Sequence, residues 1–401
     1  MTDLMREAPP TAGLPLSWRD FMPGGGALKP GLATFLDQPE VQIESSGTAA
    51  LVVALTTLKR MSDRRSVVIP AYTCPLVALA VAQCGLKPVV CDSRRNHFDL
   101  CPESLAAVCG DDTLAVLVTH LGGRVANVEG AAVIARRAGA YVVEDAAQSL
   151  GALWQGRPVG SFGDIGFYSL GVGKGLTIFG GGVLVARSED MRRRLRATGE
   201  EIVPSRIGWE MRRWLELAGY FLLYRPAGLG LAFGMPLRRR LRKGQLIEAV
   251  GDDCSAEIPL HRVGAWRKSI GARALKRLPT FLGKTAAQAL QRKVRLAAVP
   301  GVVLMDDVAG SAGTWPFFLL LMPTRQARDR VLEELWPAGL GVGRLFIHAI
   351  PDYSYLSSLF PGADVPNARD FASRALSITN SPWLRDEDFI RICSVLEQAP
   401  D

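Results

Sequence analysis

A regular alternation in the first half of the chain constrains the fold more than any other feature. Short β-branched runs, SVVIPAY (66–72), KPVVCD (87–92), LAVLVTH (114–120) and YVVED (141–145), punctuate this half. Between them lie stretches with helical spacing of apolar residues, at 48–61, 75–84 and 127–140. Continuous apolar strands separated by helices predict a mostly parallel central sheet covered on both faces. Loops at the carboxyl ends of such strands carry the ligand site. Asp92, His120, Asp145 and Ser169 all fall at such ends; His120 ends a strand facing the site but reads as an ordinary loop hydrogen-bonder.

Length and charge narrow the rest. With 401 residues, 48% of them hydrophobic, the chain has material for a sizeable α/β domain and a smaller second one. Its polar, proline-bearing start reads as a flexible arm rather than a signal segment. No apolar run approaches the ~18 residues of a spanning helix. The seven cysteines show no metal-type spacing, which points to a reducing cytoplasm. The net charge of +8 is concentrated between Arg187 and Lys243, where 14 basic residues face 6 acidic ones. No nucleic-acid motif accompanies that block, so a nucleic-acid role is not expected.

After Ala186 the alternation stops. The reading divides the chain into an arm (1–25), a large domain (26–196), a basic and apolar insertion (197–255) and a small α+β domain (256–401). In the insertion, glycines and Arg225-Pro226 argue against one straight helix. In the last part, TWPFFLLLMP (314–323) predicts a buried strand. IGARALKRL, ARDRVLEELWPAGL, NARDFASRAL and RDEDFIRICSVLEQ predict helices.

The chemistry centres on Lys174, set between glycines in GVGKGLT with no other charge near it. A lysine in apolar surroundings loses the solvation that keeps it charged, so its free amine can attack a carbonyl. At Ser45-Ser46-Gly47-Thr48 a strand gives way to a helix, whose free N–H groups suit a phosphate or merely a Ser/Thr cap. Asp145 could satisfy a loop amide or hold a pyridine nitrogen protonated, as pyridoxal phosphate needs. Ser169 could add a hydroxyl to a phosphate, and Gln148 could touch the ring. A Walker A loop is excluded, because Tyr168 occupies the first glycine's place and Gly175 follows the lysine. The run Gly228–Gly234 has one residue too many for a dinucleotide fingerprint.

Taken in order, SGTAAL, PAYT, EDAAQSLGA, GSFGDIGFYS, the lysine and GGG resemble the DegT/DnrJ/EryC1/StrS aminotransferases. LFIHAIPDYSYL (345–356) and the segment 364–388 resemble that family's closing segments. The resemblance implies a fold-type I enzyme dependent on pyridoxal 5'-phosphate. It further implies transfer of an amino group, from glutamate, to a nucleotide-linked keto-sugar, in a homodimer with shared sites. By the same resemblance Lys174 matches the lysine joined covalently to the cofactor, Asp145 the ring-nitrogen partner and Gln148 a cofactor-facing residue. Gly47, Thr48 and Ser169 match the phosphate-binding positions. A different pyridoxal-phosphate reaction, of lyase type, and a non-catalytic scaffold are the rival readings.

Some positions depart from the family pattern. Cys74 stands where an aromatic residue often stacks on the cofactor, with Tyr72 two residues earlier. Gly175 replaces a common asparagine, and no GxNxR segment is recognisable. The insertion leaves two readings open. Its aromatic residues among arginines suit an anionic membrane surface through 207–243, or else the segment is a dimer contact or active-site cover with its apolar side buried.

Overall fold

A computed structural model describes residues 6–22, 24, 26–255 and 257–399. Strands β1 (Gln42–Glu44), β2 (Ser66–Pro70), β3 (Lys87–Cys91), β4 (Thr113–Thr119) and β5 (Tyr141–Asp145) open the large unit. They alternate with helices α1 (Leu28–Phe35), α2 (Gly47–Arg60), α3 (Pro75–Gln83), α4 (Pro102–Val108) and α5 (Val128–Arg137). A short hairpin of β6 (Leu153–Trp154) and β7 (Arg157–Pro158) leads to β8 (Ile165–Ser169) and β9 (Gly182–Ala186).

The central sheet has the order β1-β9-β8-β5-β4-β2-β3, and β9 alone runs against the other strands. Both faces are buried. Val67 and Ile69 pack in one layer with α2 and α3, while Val68 packs in the opposite layer with Ala131 and Ala135 of α5. That double burial is why these strands are apolar throughout rather than alternating.

Helix α6 (Glu189–Ile202) follows, capped by Ser188. Then come α7 (Ile207–Leu223), α8 (Pro226–Leu229), a π-helical turn at Gly230–Gly234, α9 (Met235–Arg242) and α10 (Leu246–Val250). The break expected at Arg225-Pro226 is present, with the proline in the first turn of α8, where its missing N–H costs nothing. The inner side of this segment, Leu217, Tyr220, Tyr224 and Leu229, joins the core that holds Leu170, Leu176 and Ile178.

The smaller unit has a four-stranded antiparallel sheet, ordered β10-β12-β14-β13, from β10 (Val303–Leu304), β12 (Phe317–Leu321), β13 (Val342–Gly343) and β14 (Ala375–Thr379). Strand β11 (Ser311–Ala312) pairs instead with β6. Helices α12 (Leu278–Ala297), α13 (Arg325–Leu335), α14 (Pro366–Arg374) and α15 (Asp386–Glu397) complete it, while α11 (Ala265–Leu275) packs Ile270, Ala274 and Leu275 into the core of the large unit beside Leu28 and Leu32 of α1.

Two expectations need correction here. The helix read through NARDFASRAL stops at Arg374, and Ala375–Thr379 form β14 because each residue finds a partner on buried β12. The start of the chain, from Arg6 onward, is not a free arm. Ala8 donates to the Gly339 carbonyl (2.8 Å), Ala12 to Pro316 (2.7 Å) and Leu14 to Gly175 (3.1 Å), and all three side chains are buried. The first five residues lie outside the described ones.

Candidate active site

The carboxyl ends of β1, β8, β5, β4 and β2 share one edge of the sheet. Strand β1 hands over to α2 through Ser46, whose hydroxyl caps the helix by accepting from the Ala49 N–H (2.9 Å). The cap role therefore belongs to Ser46. Neither the Gly47 nor the Thr48 N–H has a partner among the described residues, so both stay available at the positive end of a 14-residue helix. Gly47 faces Ser169 at the end of β8. A Cβ built on Gly47 would stand 3.1 Å from the Ser169 Cβ and 3.5 Å from its Oγ. Gly47, Thr48 and Ser169 are thus brought together.

Asp145, at the end of β5, is buried and accepts from the Ala147 N–H (3.0 Å). Burial raises its pKa, against the loop N–H, Lys174, His120 and the Thr119 hydroxyl, which all favour the carboxylate. Lys174 follows β8 on a loop. Burial lowers the pKa of its amine, while Cys74 and Asp145 act in the opposite direction. Its Nζ makes no hydrogen bond among the described residues. The Lys174 amine and the Asp145 carboxylate therefore share one electrostatic neighbourhood, with the Cys74 thiol beside both. Burial pushes that thiol up to about 12, so it stays protonated.

Gln148 reaches the same region from the turn after β5. Its Oε1 accepts from the Gly122 N–H (2.8 Å), which leaves the amide NH2 as a free donor. A cavity of about 110 Å³ lies beside Lys174, walled by Gln148, Thr11, Phe281, Pro316 and Leu345. Thr11 closes it by donating to the Gly173 carbonyl (2.8 Å).

Asp92 does not join this group, and His120 lies beside it, its backbone N–H donating to the Asp145 carbonyl (2.9 Å), with its ring nitrogens engaged elsewhere. Asp92 accepts from the N–H groups of Asn367 (3.1 Å) and Ala368 (2.8 Å), at the start of α14. His120 is fully buried. Its Nδ1 accepts from the Ala126 N–H (3.0 Å), so Nε2 carries the proton and donates to Glu144 (3.0 Å). Glu144 also accepts from Gly160, Phe162 and Gly163, and so organises the turn that precedes β8. Tyr72 points away as well, donating to the Phe346 carbonyl and packing on Phe346 and Phe371. It cannot stack on a ring held between Asp145 and Lys174.

Sequence reasoning missed the groups that close in from distant segments. Cys254 and Tyr355 approach Cys74 from the insertion and from the small domain. The Tyr355 hydroxyl donates to the Asp252 carbonyl. Tyr355 lies in the family-like run 345–356 and Cys254 in no motif, and only the fold brings them to Cys74.

The donor set suits pyridoxal 5'-phosphate at both ends. Free N–H groups and a hydroxyl meet at a glycine that leaves room for an anion, and a buried carboxylate and a partly enclosed lysine lie beyond them. Comparison with known proteins agrees. The profile of the DegT/DnrJ/EryC1/StrS aminotransferase family matches residues 26–220 and 262–397. The GDP-perosamine synthase of Caulobacter vibrioides is 25% identical over 88% of this chain and 84% of its own length. The dTDP-4-dehydro-2,3,6-trideoxy-D-glucose 4-aminotransferase of Saccharopolyspora spinosa is 24% identical over 91% of this chain and 85% of its own. The solved structure of DesI in the presence of its TDP-sugar product superposes with a TM-score of 0.75 at 19% identity, over 98% of this chain and 93% of that one. It shares the fold. This chain belongs to the DegT/DnrJ/EryC1/StrS aminotransferase family and is a pyridoxal-phosphate-dependent aminotransferase.

Proposed function

We propose that the enzyme transfers an amino group from glutamate to a nucleotide-linked keto-sugar, for surface polysaccharide, glycolipid or secondary-metabolite synthesis. Lys174 would be the catalytic residue. The observation that carries this reading is the shared setting of the Lys174 amine and the Asp145 carboxylate, beside the open N–H pair of Gly47 and Thr48. The sugar class is supported by relatives such as the GDP-perosamine synthase and the 4-aminotransferase named above.

Gly47, Thr48 and Ser169 would bind the cofactor phosphate, Asp145 would hold the pyridine nitrogen protonated, and the Gln148 amide would orient the ring. Pyridoxal 5'-phosphate supplies an aldehyde to carry the amino group and a cationic ring to accept electron density. Lys174 Nζ, its pKa lowered by burial, would take the proton from the donor's Cα and return it elsewhere. The segment Thr11–Leu14 and the small domain would keep bulk water from that amine. A homodimer in the reducing cytoplasm completes the reading.

The test is spectral. Purified protein should be yellow, and borohydride should fix the cofactor mass on Lys174. Glutamate should convert the bound cofactor to its amine form, and a panel of nucleotide-linked amino sugars should do the same for the right sugar. Colourless protein would reject the site. Cofactor that neither glutamate nor any sugar converts would reject the transfer.

A further inference from the structure

The segment 207–243 has an inner side that fits the core and an outer side that none of the described residues covers. On α7, Ile207, Met211, Leu215 and Leu222 fall within one narrow arc of the helix, and each is more than half exposed. Past the Arg225-Pro226 corner, Leu231 and Met235 extend the apolar side, again more than half exposed. Soluble surfaces rarely carry so many large aliphatic side chains in one place. The inner residues Leu217 and Tyr220 are buried on the opposite side of the same helix, so α7 turns one apolar face inward and another outward. It has two such faces, and the protein uses one.

The charge beside this face has one sign. Residues 206–243 hold nine arginines and lysines against two glutamates. Both glutamates are committed, Glu210 to buried Arg267 (2.6 Å) and Glu216 to Arg212 (2.9 Å) and Arg213 (2.8 Å). By contrast, Arg239, Arg240 and Lys243 are exposed and make no ion pair or side-chain hydrogen bond among the described residues. At the other flank, Phe21 packs on Phe221 and Trp266, which leaves neighbouring Trp18 exposed. Aliphatic residues, an exposed tryptophan and unpaired cations form the pattern of a helix lying in a membrane interface. No described helix is long and apolar enough to cross a membrane.

We propose that the outer face of 207–243 docks on an anionic phospholipid surface, with its aliphatic stripe at the headgroup–acyl boundary and Arg239, Arg240 and Lys243 on lipid phosphates. A second copy of the chain is the weaker fit to the same face. A two-fold contact presses a patch against its own copy, which here carries one sign of unpaired charge and, among the described residues, brings no free anion to meet it. Lipid anions complement those cations. The inner side of the segment meets the lysine loop: Arg267, held by Glu210, donates to the Gly180 carbonyl (2.6 Å). Docking therefore places the surface behind the active-site loop without touching Lys174 or Asp145.

The experiment is co-sedimentation of the cofactor-loaded, full-length protein with vesicles of phosphatidylglycerol and phosphatidylcholine in equal parts, and with phosphatidylcholine alone. Wild type should pellet with the first and not the second, and high salt should weaken the pelleting because exposed charges are screened. The variant Arg239→Glu/Arg240→Glu/Lys243→Glu should bind roughly a hundredfold more weakly, as expected for three cations near an anionic surface. Leu215→Glu should also lose binding, with its cofactor absorbance unchanged. The charge variant alters only exposed side chains, so it remains informative should Leu215→Glu fold poorly. Wild type left in the supernatant with anionic vesicles, or variants that pellet like wild type, would overturn the proposal. So would a Leu215→Glu protein that changes from dimer to monomer on gel filtration while wild type ignores the vesicles.

Discussion

Gly47 faces Ser169 across the edge of the sheet so closely that a methyl group at 47 would stand 3.1 Å from the serine Cβ. Two backbone donors and one hydroxyl converge there, and the space between them exists because residue 47 has no side chain. Gly47→Ala should weaken pyridoxal phosphate binding roughly ten- to hundredfold, the cost of losing one or two buried hydrogen bonds to an anion. Equilibrium dialysis of the cofactor measures it. Unchanged affinity would mean that the phosphate sits elsewhere.

Asp145→Asn keeps the shape of the side chain and its contact with the Ala147 N–H but removes the charge. The amide cannot hold a ring nitrogen protonated. Turnover should fall by roughly 10²–10⁴-fold with cofactor still bound, the range seen when a positioned proton-transfer group is lost. Full turnover in this variant would assign the ring nitrogen to another residue.

Lys174 offers a pH test in the cofactor-free protein. Its amine has a lowered pKa through burial, so the neutral form persists to lower pH than in ordinary lysines. Competitive acetylation followed by peptide mass analysis should show Lys174 becoming reactive at a lower pH than ordinary surface lysines. The linkage sign follows. Over that pH window the unfolded chain binds more protons at this residue than the folded one, so the lysine's contribution to stability grows as pH rises. Asp145, with its pKa raised by burial, works the other way at lower pH. Reaction of Lys174 only in parallel with surface lysines would refute the lowered pKa.

Glu144 tests the scaffold apart from the chemistry. It is fully buried and accepts from three backbone N–H groups and from His120. Glu144→Gln would turn part of that acceptor into a donor facing donors. The variant should lose about 3 kcal/mol of stability, the scale of one or two unsatisfied buried groups, read as an earlier denaturant midpoint. A midpoint equal to wild type would show that the turn before β8 stands without it.

Cys74 should be inert. Its thiol is half-buried and pushed up to about 12, so iodoacetamide at pH 8 should leave it unmodified in the folded protein and label it after unfolding. Rapid labelling in the folded state would mean that the site is more open than its contacts indicate.

Neighbouring residues explain what could be read from sequence. Glu144 and Asp145 are adjacent, and the two-residue period of a strand sends one to the Gly160 turn and the other to the lysine. The buried strand and its acidic end were legible. Which acid served which purpose was suggested by the family pattern and became visible in space only once β8 was placed. His120, also at a strand end, is the loop hydrogen-bonder that the sequence suggests. A strand end predicts nearness to the site but not the direction of the side chain. Ala375–Thr379 misled: the run continues a helical pattern, and pairing with β12 overrides it. Tyr355 and Cys254 were beyond reach, because their approach to Cys74 depends on how the small domain packs.

The early segment from Ala8 to Leu14 has a consequence for biogenesis. Its hydrogen-bonding partners include Gly175 but also Pro316 and Gly339, residues that leave the ribosome long after the strand and helix of the phosphate cradle. During synthesis, which proceeds from the amino end, the lysine loop must wait uncovered until the final quarter of the polypeptide arrives to trap that segment. A nascent chain stalled before residue 316 would carry every group proposed for the cofactor and still lack its shelter from water.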